Sequence, residues 1–228
     1  MTITHHLDDA TLMSFAAGSL PAALSAVAAA HVAMCTRCRR EVAGLERVGG
    51  ALLAELPPAT LDRAEPPASA IWGQTPRPDV HEYPHRAGEG SDPIPAIAGA
   101  LRGAAPAPLA RLLPRELDNV RWRRLGLGVW HHRLAVAGRG GLGLLKVAPG
   151  RVVPEHSHAG AELTLVLRGS FHDATGRYLP GDVADLDETI EHKPIADPGR
   201  ECICLVASER PSRFRGLLAR LLQPLHGL

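Results

Sequence analysis

Two groups of side chains in this sequence have the types and spacing of metal ligands. In the first, His31, Cys35 and Cys38 follow one another with three and two residues between them. Within one continuous helix, offsets of four and seven place all three on a single face. Two thiolates and an imidazole are three of the four donors of a tetrahedral zinc site, and a structural site is closed by a fourth. His5 or His6, at the head of the first expected helix, can close it, and spacing does not choose between them. No βαβ pattern surrounds Cys35 and Cys38, which speaks against a thioredoxin-like redox pair, and Arg39 stands where haem attachment needs histidine.

The second group is His156, His158 and Glu162, set in Gly150-x5-His-x-His-x3-Glu-x6-Gly169, with His192 eleven residues after Gly181. Side chains alternate along a strand, so an expected strand over 152–158 carries His156 and His158 on one side. Glu162 heads the next strand and can point back toward them. Three imidazoles and one carboxylate suit Zn, Mn, Fe or Ni, and the set alone does not select among these. Cys202 and Cys204 also alternate, so both thiols face one side. Burial as small apolar side chains is the plain reading, and a redox role is the sharper one if that side holds the metal. His131, His132 and His172 read as surface or strand residues, and the glycine-rich run at 138–143 as a turn without the strand–loop–helix setting of a nucleotide loop.

These groups lie in two different kinds of chain. Asp8 and Asp9 open a helix expected to end at Gly18, Pro21 begins a longer one to about position 40, and a third is expected over about 41–56. Val42, Leu45, Val48, Leu52 and Leu53 form an apolar stripe on that third helix. So small a helical core usually needs a staple, and metal-binding energy becomes folding energy. Twelve of the twenty prolines fall between Pro57 and Pro114, a composition that sustains neither a long helix nor a central strand. Beyond it come short β-type runs over 120–125, 129–136, 142–147, 163–167 and 202–207, parted by glycine and proline turns. Short strands without intervening helices predict an antiparallel sandwich or barrel. A last helix is expected over 213–222. The expected organisation is therefore α plus β and multidomain: helical zinc domain 1–78, proline-rich linker 79–105, and β domain 106–228 with a C-terminal helix.

Composition narrows the function. Among 228 residues, 25 basic and 24 acidic side chains give a formal net charge of +1. No basic excess exists to neutralise phosphates, so direct nucleic-acid binding is not expected. The N-terminus has no basic region followed by an apolar core, and the longest apolar stretch, 22–34, falls short of a membrane span. A cytoplasmic protein is expected, in which close cysteine pairs point to metal or redox chemistry before disulfides.

The histidine–glutamate spacing resembles the first cupin signature at every position, and the Gly181-to-His192 segment resembles the second. In that second motif, Asp187, Thr189 and Ala196 replace the usual proline, glycine and asparagine. Over nearly the whole chain the sequence resembles the ChrR-type anti-sigma factors, a zinc domain fused to a cupin. The matching segments are Thr2-Ile3-x-His5-His6, Ala16-Ala17-Gly18-x-Leu20, Ala30-His31-x3-Cys35-x2-Cys38-Arg39, Val120-Arg121-Trp122-Arg123-x-Leu125-Gly126, the run 162–167 and Cys202-Ile203-Cys204-Leu205. This resemblance implies a jelly-roll barrel, His6 as the fourth N-terminal ligand, and a second zinc at His156, His158, Glu162 and His192. It further implies an extracytoplasmic-function sigma factor as 1:1 partner and an oxidative trigger, singlet oxygen or organic hydroperoxide, with no enzymatic role. One alternative is a cupin metalloenzyme of dioxygenase or isomerase type with an N-terminal docking module. Another is a redox sensor acting through Cys35 and Cys38 without a sigma partner.

Overall fold

The computed structural model describes residues 2–58, 117, 120–136, 140–154, 156–157, 159–210 and 213–214, with backbone alone at 156, 157, 213 and 214. The expected linker 79–105 and His158 lie outside the described residues.

Helix α1 spans Asp9–Ala16. It starts where it does because Asp8 is extended and its side chain accepts a hydrogen bond from the Thr11 amide at 2.6 Å, a cap that contributes about 1 kcal/mol. The chain leaves the helix through Gly18, at φ +68°, a left-handed conformation glycine adopts without steric cost. Helix α2 spans Ala22–Met34 and α3 spans Thr36–Glu55. The expected single helix from 21 to 40 is thus wrong: the chain breaks at Cys35, which is extended at φ −98°, ψ 110°. Cys35 is the N-cap of α3, its sulfur accepting from the Cys38 amide at 3.5 Å. The third helix consequently begins five residues earlier than expected.

Helix α2 has almost no solvent face. Ala23, Leu24 and every residue of 26–31 are buried, and a helix apolar all round must be covered all round. Helices α1 and α3 cover one side, and strands of the β domain cover the other.

The β domain holds β1 (Arg123–Gly126), β2 (Val129–Leu134), β3 (Gly141–Val147), β4 (His156–Ser157), β5 (Glu162–Arg168), β6 (Phe171–Asp173), β7 (Gly176–Tyr178), β8 (Val183–Leu186), β9 (Ile195–Ala196), β10 (Cys202–Ser208) and β11 (Arg213–Phe214). Six form one antiparallel sheet in the order β1-β2-β3-β10-β5-β8, three more the sheet β7-β6-β9, and β4 pairs with β11. The strand expected over 152–158 is interrupted: Val152 makes an isolated bridge to Ile195, and β4 is two residues long. Pro154 between them has no amide to donate. Arg213 and Phe214 pair with Ser157 and His156 where the last helix was expected to start; the unpaired backbone of β4 takes its partner there. Residues 215–222 of that expected helix lie outside the described ones.

Burial explains why β10 reads as a nearly unbroken apolar run. All seven residues of β5 are buried. Leu163, Leu165, Leu167, Ile203, Leu205 and Ala207 join the core that contains Ala23, Leu24, Val27 and Cys38. Val166, Cys202 and Cys204, on the opposite face, join Val129, Val147, Phe171 and Leu186 inside the barrel. A sheet covered on both faces loses the polar alternation of a half-exposed one. The helices and the barrel therefore share one core instead of standing apart.

Candidate functional site

The N-terminal cluster is assembled from four places in the chain. His31 sits in the last turn of α2, Cys35 between the helices, and Cys38 in the first turn of α3. They do not lie on one helix face, as the continuous-helix expectation had it; the bend at Cys35 gathers them. His6 arrives from the extended segment before α1. One donor atom from each of His6, His31, Cys35 and Cys38 lies within 4.8 Å of the others. His6 Nδ1 is 3.2 Å from Cys35 Sγ and 3.7 Å from Cys38 Sγ, and His31 Nε2 is 3.4 Å from Cys38 Sγ. Tetrahedral zinc with ordinary N and S bond lengths separates its ligands by about 3.3–3.8 Å, so these four fit the ion. His5, the other open choice, points away: its Nδ1 is 3.4 Å from Asp182 and its ring 4.3 Å from that of Tyr178.

Electrostatics describe what the cluster needs. Burial pushes the Cys38 thiol up to about 12, with the Cys35 sulfur adding to the rise. Burial also holds His31 down to about 4, against the hydrogen bond it donates to the Gly181 carbonyl, which favours protonation. His6 is lowered by burial and by Arg37. Neutral imidazoles are ready to ligate, whereas the thiols give up their protons to a cation. His31 Nδ1 lies 3.0 Å from the Gly181 carbonyl, so Nδ1 carries the proton and Nε2 presents its lone pair to the cluster.

The second cluster lies at the ends of barrel strands. Glu162 and His192 are both buried, with Glu162 Oε1 and His192 Nε2 4.0 Å apart. Two ligand bonds of about 2.1 Å can span that distance, so one ion fits between them. Thr164 donates to Glu162 Oε1 at 3.5 Å. Asp173 Oδ2 accepts from His192 Nδ1 at 2.9 Å, which fixes the ring and aims Nε2 at Glu162. Burial raises the Asp173 carboxyl, but hydrogen bonds from His192 and Thr175 outweigh it and hold it low. The side chains of His156 and His158 lie outside the described residues. Sequence reasoning missed Asp173, which no motif spacing marks.

Cys202 and Cys204 face the barrel interior. Cys204 pairs with Val166, two positions along β5 from Thr164 and four from Glu162 on the same face. The two sulfurs are 3.6 Å apart. The hydrogen bond with Cys202, together with burial, raises the Cys204 thiol well above its ordinary value. His172, expected to be no ligand, hydrogen-bonds Asp197 at 2.8 Å. Asp197 also accepts from Ser170 and Arg177. His131, read as a surface or strand residue, is a strand residue and buried.

A third feature is apolar. The stripe expected on α3 divides in two: Val42 is buried and Leu45 partly so, while Val48, Leu52, Leu53 and Leu56 are 59–69% exposed. Among the described residues no helix is long and apolar enough to cross a membrane.

Residues 113–211 match the ChrR cupin-like domain family. The chain is 41% identical to the anti-sigma-E factor ChrR of Cereibacter sphaeroides over 224 residues, 98% of each sequence. It is also similar to ChrR as seen in the crystal structure of Rhodobacter sphaeroides SigE in complex with that anti-sigma factor. That match has 39% identity and a TM-score of 0.71, covering 91% of this chain and 99% of the other. Similarity of this depth, running through the helical half and the barrel alike, makes the chain a member of the ChrR family of anti-sigma factors.

Proposed function

We propose that this chain sequesters an extracytoplasmic-function sigma factor in a 1:1 complex through its zinc-held helices. In this reading His6, His31, Cys35 and Cys38 hold a structural zinc, and His156, His158, Glu162 and His192 hold a second metal, zinc by family resemblance. The cupin is dispensable for inhibition and needed for release under oxidative stress, from singlet oxygen or an organic hydroperoxide. No catalytic turnover and no direct contact with nucleic acid are assigned to it, and its place is the cytoplasm.

The observation that carries the reading is the C-terminal half of α3. Four large apolar side chains at 48, 52, 53 and 56 stand in solvent, on the helix whose first turn carries Cys38 of the buried His/Cys cluster. Such a stripe has the i, i+4 spacing of a helix that docks on an apolar partner. The relative whose complex with SigE is known supports a sigma factor as that partner.

The experiment is co-purification of the full chain with its cognate sigma factor, wild type against a Leu52→Asp, Leu53→Asp double variant. The expected result is a stable 1:1 complex for the wild type. The variant is expected to lose at least a hundredfold in affinity, about 2.7 kcal/mol, with its zinc content unchanged. A double variant that binds as tightly as the wild type would move the docking surface elsewhere.

A further inference from the structure

Besides the packing of α2 on the strands, the helical half meets the barrel at one hydrogen-bonded turn, and that turn lies against two of the four proposed zinc ligands. Asp182, which follows the Pro180-Gly181 turn and precedes β8, is completely buried. Its Oδ1 accepts from the Thr4 amide at 2.7 Å and the His5 amide at 3.0 Å. Its Oδ2 accepts from the Leu179 amide at 2.9 Å. The Val183 amide donates back to the His5 carbonyl at 3.4 Å. Three residues on, Asp185 Oδ2 accepts from the Asp8 amide at 3.0 Å. His6 is thus held on both sides, through His5 and Asp8, by carboxylates of the barrel. The same turn presents the Gly181 carbonyl to His31 Nδ1. Gly181 itself is at φ +93°, and a Cβ there would press within 3.0–3.2 Å of Ile3 and Met34. Only glycine permits both the turn and this close approach.

We infer that Gly181 and Asp182 are positioning residues of the N-terminal metal centre, so that the barrel supplies the outer shell of a zinc site whose ligands all lie in the helical half. Outer-shell hydrogen bonds fix ring orientation and the ligating tautomer, and their loss typically costs about 10–100-fold in metal affinity. Zinc retention and docking of the barrel on the helices are then one linked equilibrium: whatever lifts the turn from residues 3–8 loosens two ligands at once, and whatever removes zinc weakens the docking. Asp182 touches no metal; it acts through the backbone on either side of His6.

This inference rests on the proposed zinc at His6, His31, Cys35 and Cys38, and the test separates the two. Zinc-loaded full-length protein is mixed with excess 4-(2-pyridylazo)resorcinol, and the rate of zinc release is followed by absorbance. Asp182→Ala is expected to release the N-terminal zinc at least tenfold faster than wild type. Asp197→Asn, which disturbs an equally hydrogen-bonded carboxylate elsewhere in the barrel, is expected to stay within twofold. Thr4→Pro removes the shortest donor from the helical side without touching the barrel, and the same acceleration is expected if Asp182→Ala does not fold. Cobalt(II) in place of zinc is expected to show an altered ligand-field spectrum in both variants, a signature that general destabilisation does not produce. Wild-type release rates from a zinc-loaded Asp182→Ala or Thr4→Pro protein overturn the inference, as does equal acceleration in Asp197→Asn. A wild type that retains no zinc at all overturns the metal assignment and this inference with it.

Discussion

The two ligand clusters are built on opposite plans. The N-terminal one is closed: four donors face one another within 4.8 Å, two of them sulfur. A peptide carbonyl, that of Gly181, backs the ring of His31. The barrel cluster is built of nitrogen and oxygen, backed by the carboxylate of Asp173, and shares its interior face with two thiols. A closed sulfur-rich set suits an ion that holds a fold together, since nothing is left free to exchange. A nitrogen–oxygen set at strand ends suits a metal whose ligation is open to change. Under the proposed function, that difference matches a holding role for one half of the protein and a responding role for the other.

Breaking the closed site gives the largest effect. Structural zinc contributes about 10–16 kcal/mol in small zinc domains, so Cys38→Ser is expected to lose the N-terminal zinc equivalent and the sigma complex together. Elemental analysis and co-purification measure both, and a fully zinc-loaded variant would remove the distinction between the clusters. The next effect is smaller and concerns the metal-stripped protein. An unfolded chain protonates His31 below about 6.5, the folded one only below about 4. Between these values the unfolded state binds more protons, so stability falls as pH drops from 6.5 to 4 and levels off beneath. The loss is up to about 3 kcal/mol. Denaturant midpoints at several pH values, compared with His31→Gln, isolate it; identical pH profiles would show that the imidazole is not held neutral. Smallest is Asp173→Asn, expected to weaken the barrel metal about 10–100-fold. The sigma factor is expected to stay inhibited in unstressed cells and to be released poorly under oxidant, as read by a transcription reporter. Normal release would put the response outside the barrel metal.

The candidate ligands were legible because metal chemistry writes itself in residue type and spacing: His31, Cys35, Cys38, Glu162 and His192 needed no fold to be noticed. Choosing His6 over His5 needed either resemblance or geometry, since adjacent residues differ by direction alone. The bend at Cys35 was hidden because residues 31–40 have helical composition on both sides of it, and the cap is a sulfur where capping usually marks itself with Ser, Thr, Asp or Asn. Five barrel strands lie close to where apolar runs and turns placed them, because period and punctuation are local. Docking of the two halves is a long-range fact, yet it left a trace. An alanine-rich helix with no polar face, and a strand such as β10 with no polar alternation, each demand a second cover. Asp182 left none, since a buried aspartate and an exposed one look alike in a turn.

Helix α2, which packs against the barrel strands, buries side chains that are mostly single methyl groups, at 23, 26, 28, 29 and 30. Such a surface has little relief. It excludes water well, but it offers few teeth to mesh with the leucines opposite, so the joint resembles a smooth bearing more than a gear. Register along it is left to a few polar pins, at Gly181, Asp182 and Asp185. A bearing with pins has two natural positions, seated and free, and little between them. If the barrel signals release as proposed, that kind of joint suits a yes-or-no message to the helices.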